Sequence, residues 1–352
     1  TCALPICRDT FIALPGLTLA QDDIPTFVHA MDTMIKKLKD CVFISGITDQ
    51  GNTFTSADGP LWLIWSLQQY YKLVENAPEV WKKYSKTIKN ILQCYRQSKL
   101  EGKVFMDESG LVKITENGIP LTWMNAVVEG KPVVKRLGYV VEINALWYNA
   151  MRFALELATA SNDTKFIKAW KELPEKIETG FVNTFWSQEK GYLADHVNGD
   201  YIDWSVRANN VIAVSMPYCP VSDEIKKQVL DIAKNELLTP RGLRTLSPKN
   251  PNYHGRYAGN QIQRDLDYHQ GSAFPWLFQH FAEAWISIYK KSGYSYINEL
   301  TKDFENDLNQ NGIGTLSEVY DGDPPFEGKG AISSAGSVAA VLRVLKLLQN
   351  VQ

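Results

Sequence analysis

The stretch "VVEINALWYNAMRFALEL", Val140–Leu157, carries the pattern that sets the fold class. Ile143, Leu146, Trp147, Ala150, Ala154 and Leu157 recur at three- and four-residue steps, the spacing of one helical face. Glu142 and Asn144 enter that helix among apolar residues. A carboxylate so placed has to be paired, hydrogen-bonded or protonated. The same period continues in both directions. Ile24, Phe27, Val28, Met31, Ile35 and Leu38 carry it, as do Trp81, Tyr84, Ile88, Ile91 and Tyr95. Further helices are expected near 9–20, 58–75, 164–186, 206–217, 222–236, 272–291, 294–309 and 333–349, about eleven in all. Convincing strand patterns are absent. Pro78 and Pro275 stand where helices can begin, and Gly191, Gly242, Gly293 and Gly312 punctuate loops.

The connections are of two kinds. "SNDTK" at 161–165 is short and polar, whereas 100–140, 187–205, 239–271 and 311–332 are long and rich in Gly, Pro, aromatic and charged residues. Long loops without secondary structure of their own are uncommon unless they serve a function. A paired-helix solenoid or a closed helical toroid would gather them on one rim, and length with helix count favours the toroid. No linker-like or low-complexity segment divides the chain, so residues 1–352 read as one domain.

Composition narrows the function classes. The formal net charge is −2 from 37 basic and 39 acidic residues, with no block of either sign, which gives nucleic acid and anionic lipid no electrostatic footprint. No apolar run reaches the roughly 18 residues of a membrane helix, and the start lacks a signal peptide's basic and apolar regions. A cytoplasmic location is expected. Because residue 1 is Thr and dense motif begins by Arg8, the chain reads as the C-terminal part of a longer protein, with room for an N-terminal companion domain. Five cysteines without a C-x-x-C spacing indicate neither a disulfide framework nor a zinc site. The 10 Trp and 16 Tyr often stand beside Asn, Asp, Arg or Gly. Aromatic plates among planar hydrogen-bonding groups suit sugar rings, whose C–H faces stack while their hydroxyls need partners.

Five stretches concentrate chemistry. In "CRDTFIALPGL" (Cys7–Leu17) Arg8 and Asp9 precede an apolar helix, and in "GNTFTSADGPLWLIW" (Gly51–Trp65) Asp58 does the same. Helix capping is the competing role for both aspartates. Glu142 and Asn144 form the third. The fourth, Leu243–Trp276, alternates planar hydrogen-bonders with aromatics and contains Tyr268, His269 and Gln270. It reads as a binding rim rather than a solvated charge run. In the fifth, "GIGTLSEVYDGDPPFEGKG" (Gly312–Gly330), Glu318 is followed by Asp321 and Asp323 without the ordered ladder of a calcium loop. A single reactive carboxylate fits better than a metal site, and no metal or cofactor is expected.

Together with "LTWMNA" (Leu121–Ala126), these stretches resemble the C-terminal amylo-1,6-glucosidase domain of glycogen debranching enzymes, in order and over essentially the whole chain. The matching runs are Arg8–Thr10, Asp58–Trp62, Leu121–Ala126, Glu142–Asn149, Gly242–Trp276 and Ser317–Asp323. The resemblance implies an all-α fold, an (α/α)6 barrel of about twelve helices. It also implies hydrolysis, with inversion, of the single α-1,6-linked glucose at a trimmed branch of glycogen or a related α-glucan. Arg8 and Asp9 would clamp the outer hydroxyls of that glucose, Trp123 would stack on it, and Glu318 would be the general base. Asp58, Glu142, Arg207, Asn209, Tyr268, His269, Gln270, Trp276 and Asp321 complete the implied substrate-binding set. Inversion also needs a general acid across the bond, leaving room for water.

The family's acid is the Asp of T-W-M-D, where this chain has Asn125. An amide cannot protonate a leaving oxygen. Three readings follow: an introduced isosteric substitution, a natural one with Glu142 or Asp107 serving as acid, or a glucan-binding domain without catalysis. A related α-glucosidase or trehalase on the same barrel is the rival among enzymes. A second departure is Cys7, where the family usually has Gly.

Overall fold

The computed structural model describes residues 7–39, 41–48, 51–54, 56–100, 102–116 and 118–349. Among them lie twelve α-helices: α1 (Cys7–Leu17), α2 (Ile24–Lys36), α3 (Gly59–Val74), α4 (Ala77–Arg96), α5 (Val141–Ala160) and α6 (Thr164–Trp170). The others are α7 (Leu173–Phe185), α8 (Asn209–Val214), α9 (Asp223–Glu236), α10 (Gln261–Asp267), α11 (Phe278–Lys302) and α12 (Ala335–Gln349). Caps follow from sequence: the side chains of Asp23, Asn76, Asp163 and Ser222 accept from the backbone N–H three residues on, opening α2, α4, α6 and α9.

Burial divides the helices into two classes. In α3 every residue from Gly59 to Gln69 is buried, α8 is buried throughout, and α5 buries fifteen of its residues. A helix covered on all sides must lie inside. The amphipathic α4 and α9 instead bury one stripe each; that of α4 contains Trp81, Tyr84, Ile88, Ile91 and Tyr95, as the period indicates. Packing neighbours run from α1 to α3, α3 to α5, α5 to α8, α8 to α11, α11 to α12, and from α12 back to α1. That last contact depends on Gly16. A Cβ there would lie 2.0 Å from the Ala339 carbonyl oxygen, so the two backbones touch only because position 16 has no side chain.

Several expectations are corrected. Short strands are present within the long connections. One five-stranded antiparallel sheet has the order Tyr201–Asp203, His196–Asn198, Gly138–Val140, Val112–Ile114, Val104–Met106. A second has the order Leu238–Thr239, Gly242–Arg244, Ala273–Phe274, Val319–Tyr320, Gly328–Lys329. Strands of two or three residues have too few positions to show a two-residue period. The sheets join loop 100–140 to 187–205 and loop 239–271 to 311–332. Loop 239–271 also contains α10. The segment 164–186 is two helices, α6 and α7, with Pro174 in the first turn of α7. Segments 272–291 and 294–309 meet within α11 at a sharp kink, where Lys290 has φ 48° and ψ −124°. Gly293 is therefore buried inside a helical element, not in a loop.

One disulfide, Cys41–Cys94, ties the hairpin before α3 to α4, although the cysteine pattern indicates none. Its 53-residue separation makes the pairing a product of tertiary proximity, invisible to spacing rules. Cys2 and the side chain of Cys7 lie outside the described residues, so the Cys7 departure has no structural counterpart here.

Gly16→Ala is expected to destabilise the fold by about 2 kcal/mol or more, at the upper part of the overpacking range, by forcing α1 from α12. Urea unfolding of the two proteins measures it; an unchanged midpoint would mean the contact is not tight.

Candidate active site

The candidate residues assemble around one consecutive pair. The Tyr268 hydroxyl donates to Glu318 Oε1 at 2.5 Å, and the His269 Nε2 accepts the Asn125 backbone N–H at 3.2 Å. Glu318 Oε2 accepts the Ala331 backbone N–H at 2.9 Å. Glu318 is held by the second sheet, immediately before Val319–Tyr320, while Tyr268 and His269 lie shortly before its Ala273–Phe274 strand. Burial, then the Glu318 charge, pushes the Tyr268 hydroxyl well above its usual value, so it remains a donor at neutral pH.

His269 is buried, and burial together with the positive Arg207, Arg8 and Arg136 pulls it well below the usual histidine range. It is a neutral ring. Because Nε2 accepts, the proton belongs on Nδ1, which has no partner among the described residues. Arg207 donates to the His269 carbonyl and to Gln270 Oε1, both at 2.8 Å, fixing the residues on either side of that peptide.

Arg8 lies behind this pair, reaching Asp9 Oδ1 at 3.2 Å and Asp58 Oδ1 at 3.5 Å. Asp58 is fully buried, yet its side chain does not cap α3. Ser56 Oγ accepts the Gly59 N–H instead and donates to Asp58 Oδ1 at 2.6 Å. The capping role is thereby taken by a neighbour, and Asp58 Oδ2 has no hydrogen-bond partner among the described residues. The Asp9 side chain is 50% exposed. The surrounding protein, and then the negative Asp58 and Glu318, raise its carboxyl against the pull of Arg8. Asp9 thus feels the charges of Asp58 and Glu318, and Tyr268 those of Glu318 and Asp9, which places the first, second, fourth and fifth sequence stretches together.

Trp123 is 5% exposed and wedged among rings, with the edge-on partners Trp276 at 5.0 Å, His269 at 5.1 Å and Phe274 at 5.9 Å. Its indole N–H donates to Asn209 Oδ1 at 2.7 Å. Little of its face is left for a sugar, so its evident contribution is to set the loop that presents Asn125. The Asn125 carboxamide is half-buried and makes no hydrogen bond among the described residues.

Two candidates sit apart from this cluster. Glu142 is completely buried and bound by both terminal nitrogens of Arg136, including Nη2 to Oε2 at 2.6 Å. Burial raises its carboxyl, and the guanidinium opposes that. Asp321 is buried, accepting the Tyr257 N–H at 2.8 Å and pairing with Arg256 at 3.3 Å, which fastens two loops to each other. The alternative acid Asp107 is occupied by Ser109 and by the Tyr139 hydroxyl. Both carboxylates are thus engaged by side chains outside the cluster.

Sequence reasoning missed Arg136 and Asp195. Arg136 also donates to Asp195 through Nε at 2.7 Å and Nη2 at 3.1 Å, and Asp195 Oδ1 accepts from Asn209 at 2.7 Å. Although burial would raise Asp195, Arg136, then His196 and Arg207, bring it below the usual carboxylate range. Neither residue stands in a recognisable motif, and only their shared burial signals them. Asp195, His196 and Asp203 have ligand atoms within 4.8 Å of one another. However, Asp195 is already neutralised by Arg136 and bound by Asn209, so the donor set fits an ion pair rather than a metal.

Comparison with known proteins gives three findings. The family described as amylo-alpha-1,6-glucosidase matches residues 5–343. The glycogen debranching enzyme of Saccharomyces cerevisiae is 25% identical over an alignment covering 49% of this chain and 14% of that protein, so the similarity reaches a small part of its length. Among solved structures, the GH63 mannosylglycerate hydrolase of Thermus thermophilus superposes with a TM-score of 0.64 at 13% identity, covering 96% of this chain and 92% of the other. The last is a likeness of fold.

Removing the guanidinium in Arg136→Met leaves two buried carboxylates uncompensated, a loss of about 3–5 kcal/mol at pH 7. Without Arg136 both folded-state pKa values rise, that of Glu142 from a position already raised and that of Asp195 from its lowered one, which costs stability at every pH above the variant's values. The deficit therefore shrinks as pH falls through the raised values toward about 4. Urea melts at pH 5 and 7 test the sign. In Trp123→Phe, a separate change, the buried Asn209 oxygen loses its donor, and about 1–3 kcal/mol of stability should go with it.

Proposed function

The chain belongs to the amylo-alpha-1,6-glucosidase family, a glycoside hydrolase family, and from that premise we propose that it acts on α-1,6-linked glucose at α-glucan branch stubs, with inversion. The observation that carries this reading is the Tyr268–His269 pair, one member holding Glu318 and the next holding the loop of Asn125. A base and an acid position fixed by adjacent residues form a framework that can hold a sugar between them.

Glu318 takes a proton from water, and the water oxygen attacks the anomeric carbon on the face opposite the leaving group. The glycosidic C–O bond breaks with its electron pair on the leaving oxygen, which needs a proton from the other side. Position 125 is where that proton would come from, and an amide cannot give it. The framework is that of the reaction, while the acid step is deficient in this chain. Arg8 with Asp9 is assigned to the outer hydroxyls. The Asp58 Oδ2 and His269 Nδ1 atoms are buried and have no hydrogen-bond partner among the described residues. Trp123, Asn209, Glu142, Arg207 and Asp321 support the site, and Gln270 and Trp276 border it.

The same reading takes the packing circuit of α1, α3, α5, α8, α11 and α12 as the inner layer of an (α/α)6 barrel. The contact of α12 with α1 supports closure, and the chain is treated as one domain. An α-glucan is the partner, and an N-terminal companion domain is compatible with the small share of the yeast relative that is matched. The cytoplasmic location has one observation against it: disulfides are rare in reducing compartments, and Cys41 is bonded to Cys94. Among the described residues no helix is long and apolar enough to cross a membrane.

Glucose release from phosphorylase-limit dextrin, with maltose and trehalose as controls, tests the assignment. Turnover of either control in place of dextrin would move the protein to a neighbouring specificity, and binding without turnover that Asn125→Asp does not restore would make it a glucan-binding domain. Asn125→Asp should raise limit-dextrin hydrolysis by about two orders of magnitude or more, the usual scale of a general acid. A descending alkaline limb should appear as that acid loses its proton. Fluoride leaves without protonation, so α-glucosyl fluoride should be hydrolysed even by the parent chain, and Glu318→Gln should cut that rate about 10²–10⁴-fold. A preserved rate per folded molecule would remove Glu318 from catalysis.

A further inference from the structure

The chain approaches α3 through a hairpin in which Leu38–Lys39 pairs with Val42–Thr48, and that strand with Gly51–Phe54. The hairpin is fastened to α4 at both of its ends. At its first turn Cys41 has φ 91°, is buried, and is bonded to Cys94. At its exit the hydroxyl of Tyr95, the residue after Cys94, donates to the Ala57 carbonyl at 2.5 Å. Tyr95 is buried and stacks on Trp147 with ring centroids 5.6 Å apart. One turn of α4, anchored in the core, therefore receives both ends of the hairpin.

Two contacts lead from the hairpin to the Arg8 guanidinium. Phe43 packs on Phe11 of α1 with ring centroids 5.2 Å apart, and Phe11 lies three residues beyond Arg8 on that helix. Ala57, whose N–H donates to the Leu121 carbonyl at 2.7 Å, precedes Asp58, and Asp58 Oδ1 meets Arg8 at 3.5 Å. The same oxygen accepts from Ser56 Oγ at 2.6 Å. Cys41 and Phe43 are the described hairpin residues that belong to the buried core. With the sulfur bond open, the Phe43–Phe11 contact and the Tyr95 hydrogen bond are left to place the segment that carries Asp58.

We propose that the Cys41–Cys94 disulfide positions the Arg8–Asp58 pair, so that thiol–disulfide exchange at this bond sets how firmly the outer hydroxyls of the sugar are held. The proposal rests on the assignment of Arg8 to those hydroxyls and adds a redox dependence to it. A thiolate of a dithiol reductant attacks one sulfur, and the other cysteine leaves as a thiolate and takes a proton. The second thiol of the reductant then displaces the first cysteine, and the reductant closes to its own disulfide. Two electrons and two protons pass to Cys41 and Cys94. Opening frees a loop of 53-residue separation that contains Ser56, Ala57 and Asp58. Both cysteines are buried, so exchange follows local opening of the hairpin rather than attack on the closed structure. A reducing compartment holds the bond open and the pair loose, and an oxidising one closes it.

Hydrogen exchange read by mass spectrometry, on the full chain oxidised and after treatment with dithiothreitol, tests the positioning without reference to activity. Reduction should lower protection in α1 and in residues 56–62 as well as in the hairpin. A loss confined to residues 38–54 overturns the proposal, and so does a bond that thiol labelling finds still closed. In the kinetic arm, with α-glucosyl fluoride, reduction should raise KM about fivefold or more, the low end of coupling between sites. The value of kcat should stay unchanged, as when binding shared by substrate and transition state is lost. Cys41→Ser combined with Cys94→Ser should show the raised KM from the start and ignore the reductant; circular dichroism checks its folding. Tyr95→Phe, which keeps the sulfur bond, should raise KM in the same direction. A merely structural bond would lower the unfolding midpoint and leave the KM of the folded enzyme where it was, which overturns the proposal. A parent that leaves the fluoride intact overturns the glycosidase reading, and the exchange measurement still decides the positioning.

Discussion

Arg136 is the charge around which the loop of Asn125 is built. It binds Glu142 at the start of α5 and Asp195 beside the His196–Asn198 strand, so a helix end and a sheet are tied by one guanidinium. From Asp195 the connection passes to Asn209 at the head of α8, from Asn209 to the Trp123 indole, and from Trp123 to the loop carrying Asn125. Each group in that series is buried, and each would be costly alone, because buried charges and polar groups need partners. Their mutual satisfaction allows a single geometry. The irregular "LTWMNA" run needs no secondary structure of its own because side chains from other elements hold it.

The Glu318 side is organised differently. Glu318 depends on a strand edge, one tyrosine and a backbone N–H from Ala331. The sheet that joins loop 239–271 to loop 311–332 carries both Glu318 and the Tyr268–His269 pair, so a shift of one would carry the other. His269 then crosses to the Asn125 loop through the Asn125 N–H and the edge-on contact with Trp123. The two halves of the site meet at one peptide bond. The consequence is positional: the contacts around Asn125 hold its loop against His269 and Trp123 in one place.

Much of this could be read from the chain, and the reasons are local. The stripe in α4 and the apolar content of α3 and α5 follow from a 3.6-residue period acting on side chains that must leave water. The residue types of Arg8, Asp9, Asp58, Tyr268, His269 and Glu318 gave a weak signal, with helix capping as the competing role for the two aspartates, and their roles came from the ordered motifs that resemble the amylo-1,6-glucosidase domain. The short strands, α10 and the Cys41–Cys94 bond gave no such signal, since two-residue strands carry no period and a disulfide across 53 residues carries no spacing rule.

What the sequence determined by itself was the helical class, the position of most helices, the identity of the candidate carboxylates and the absence of an acid at 125. The helices depend on period, a property of neighbours along the chain, and the carboxylates and position 125 on ordered motifs that resemble those of the family. What only the tertiary structure decided was the use of each polar residue. Glu142 and Asp58 look alike in sequence, each a carboxylate entering an apolar helix. Glu142 meets a guanidinium with both oxygens, and Asp58 keeps Oδ2 without a partner among the described residues. Burial makes a partner obligatory, but which partner arrives is set by residues distant in sequence, and folding alone brings them within hydrogen-bonding reach.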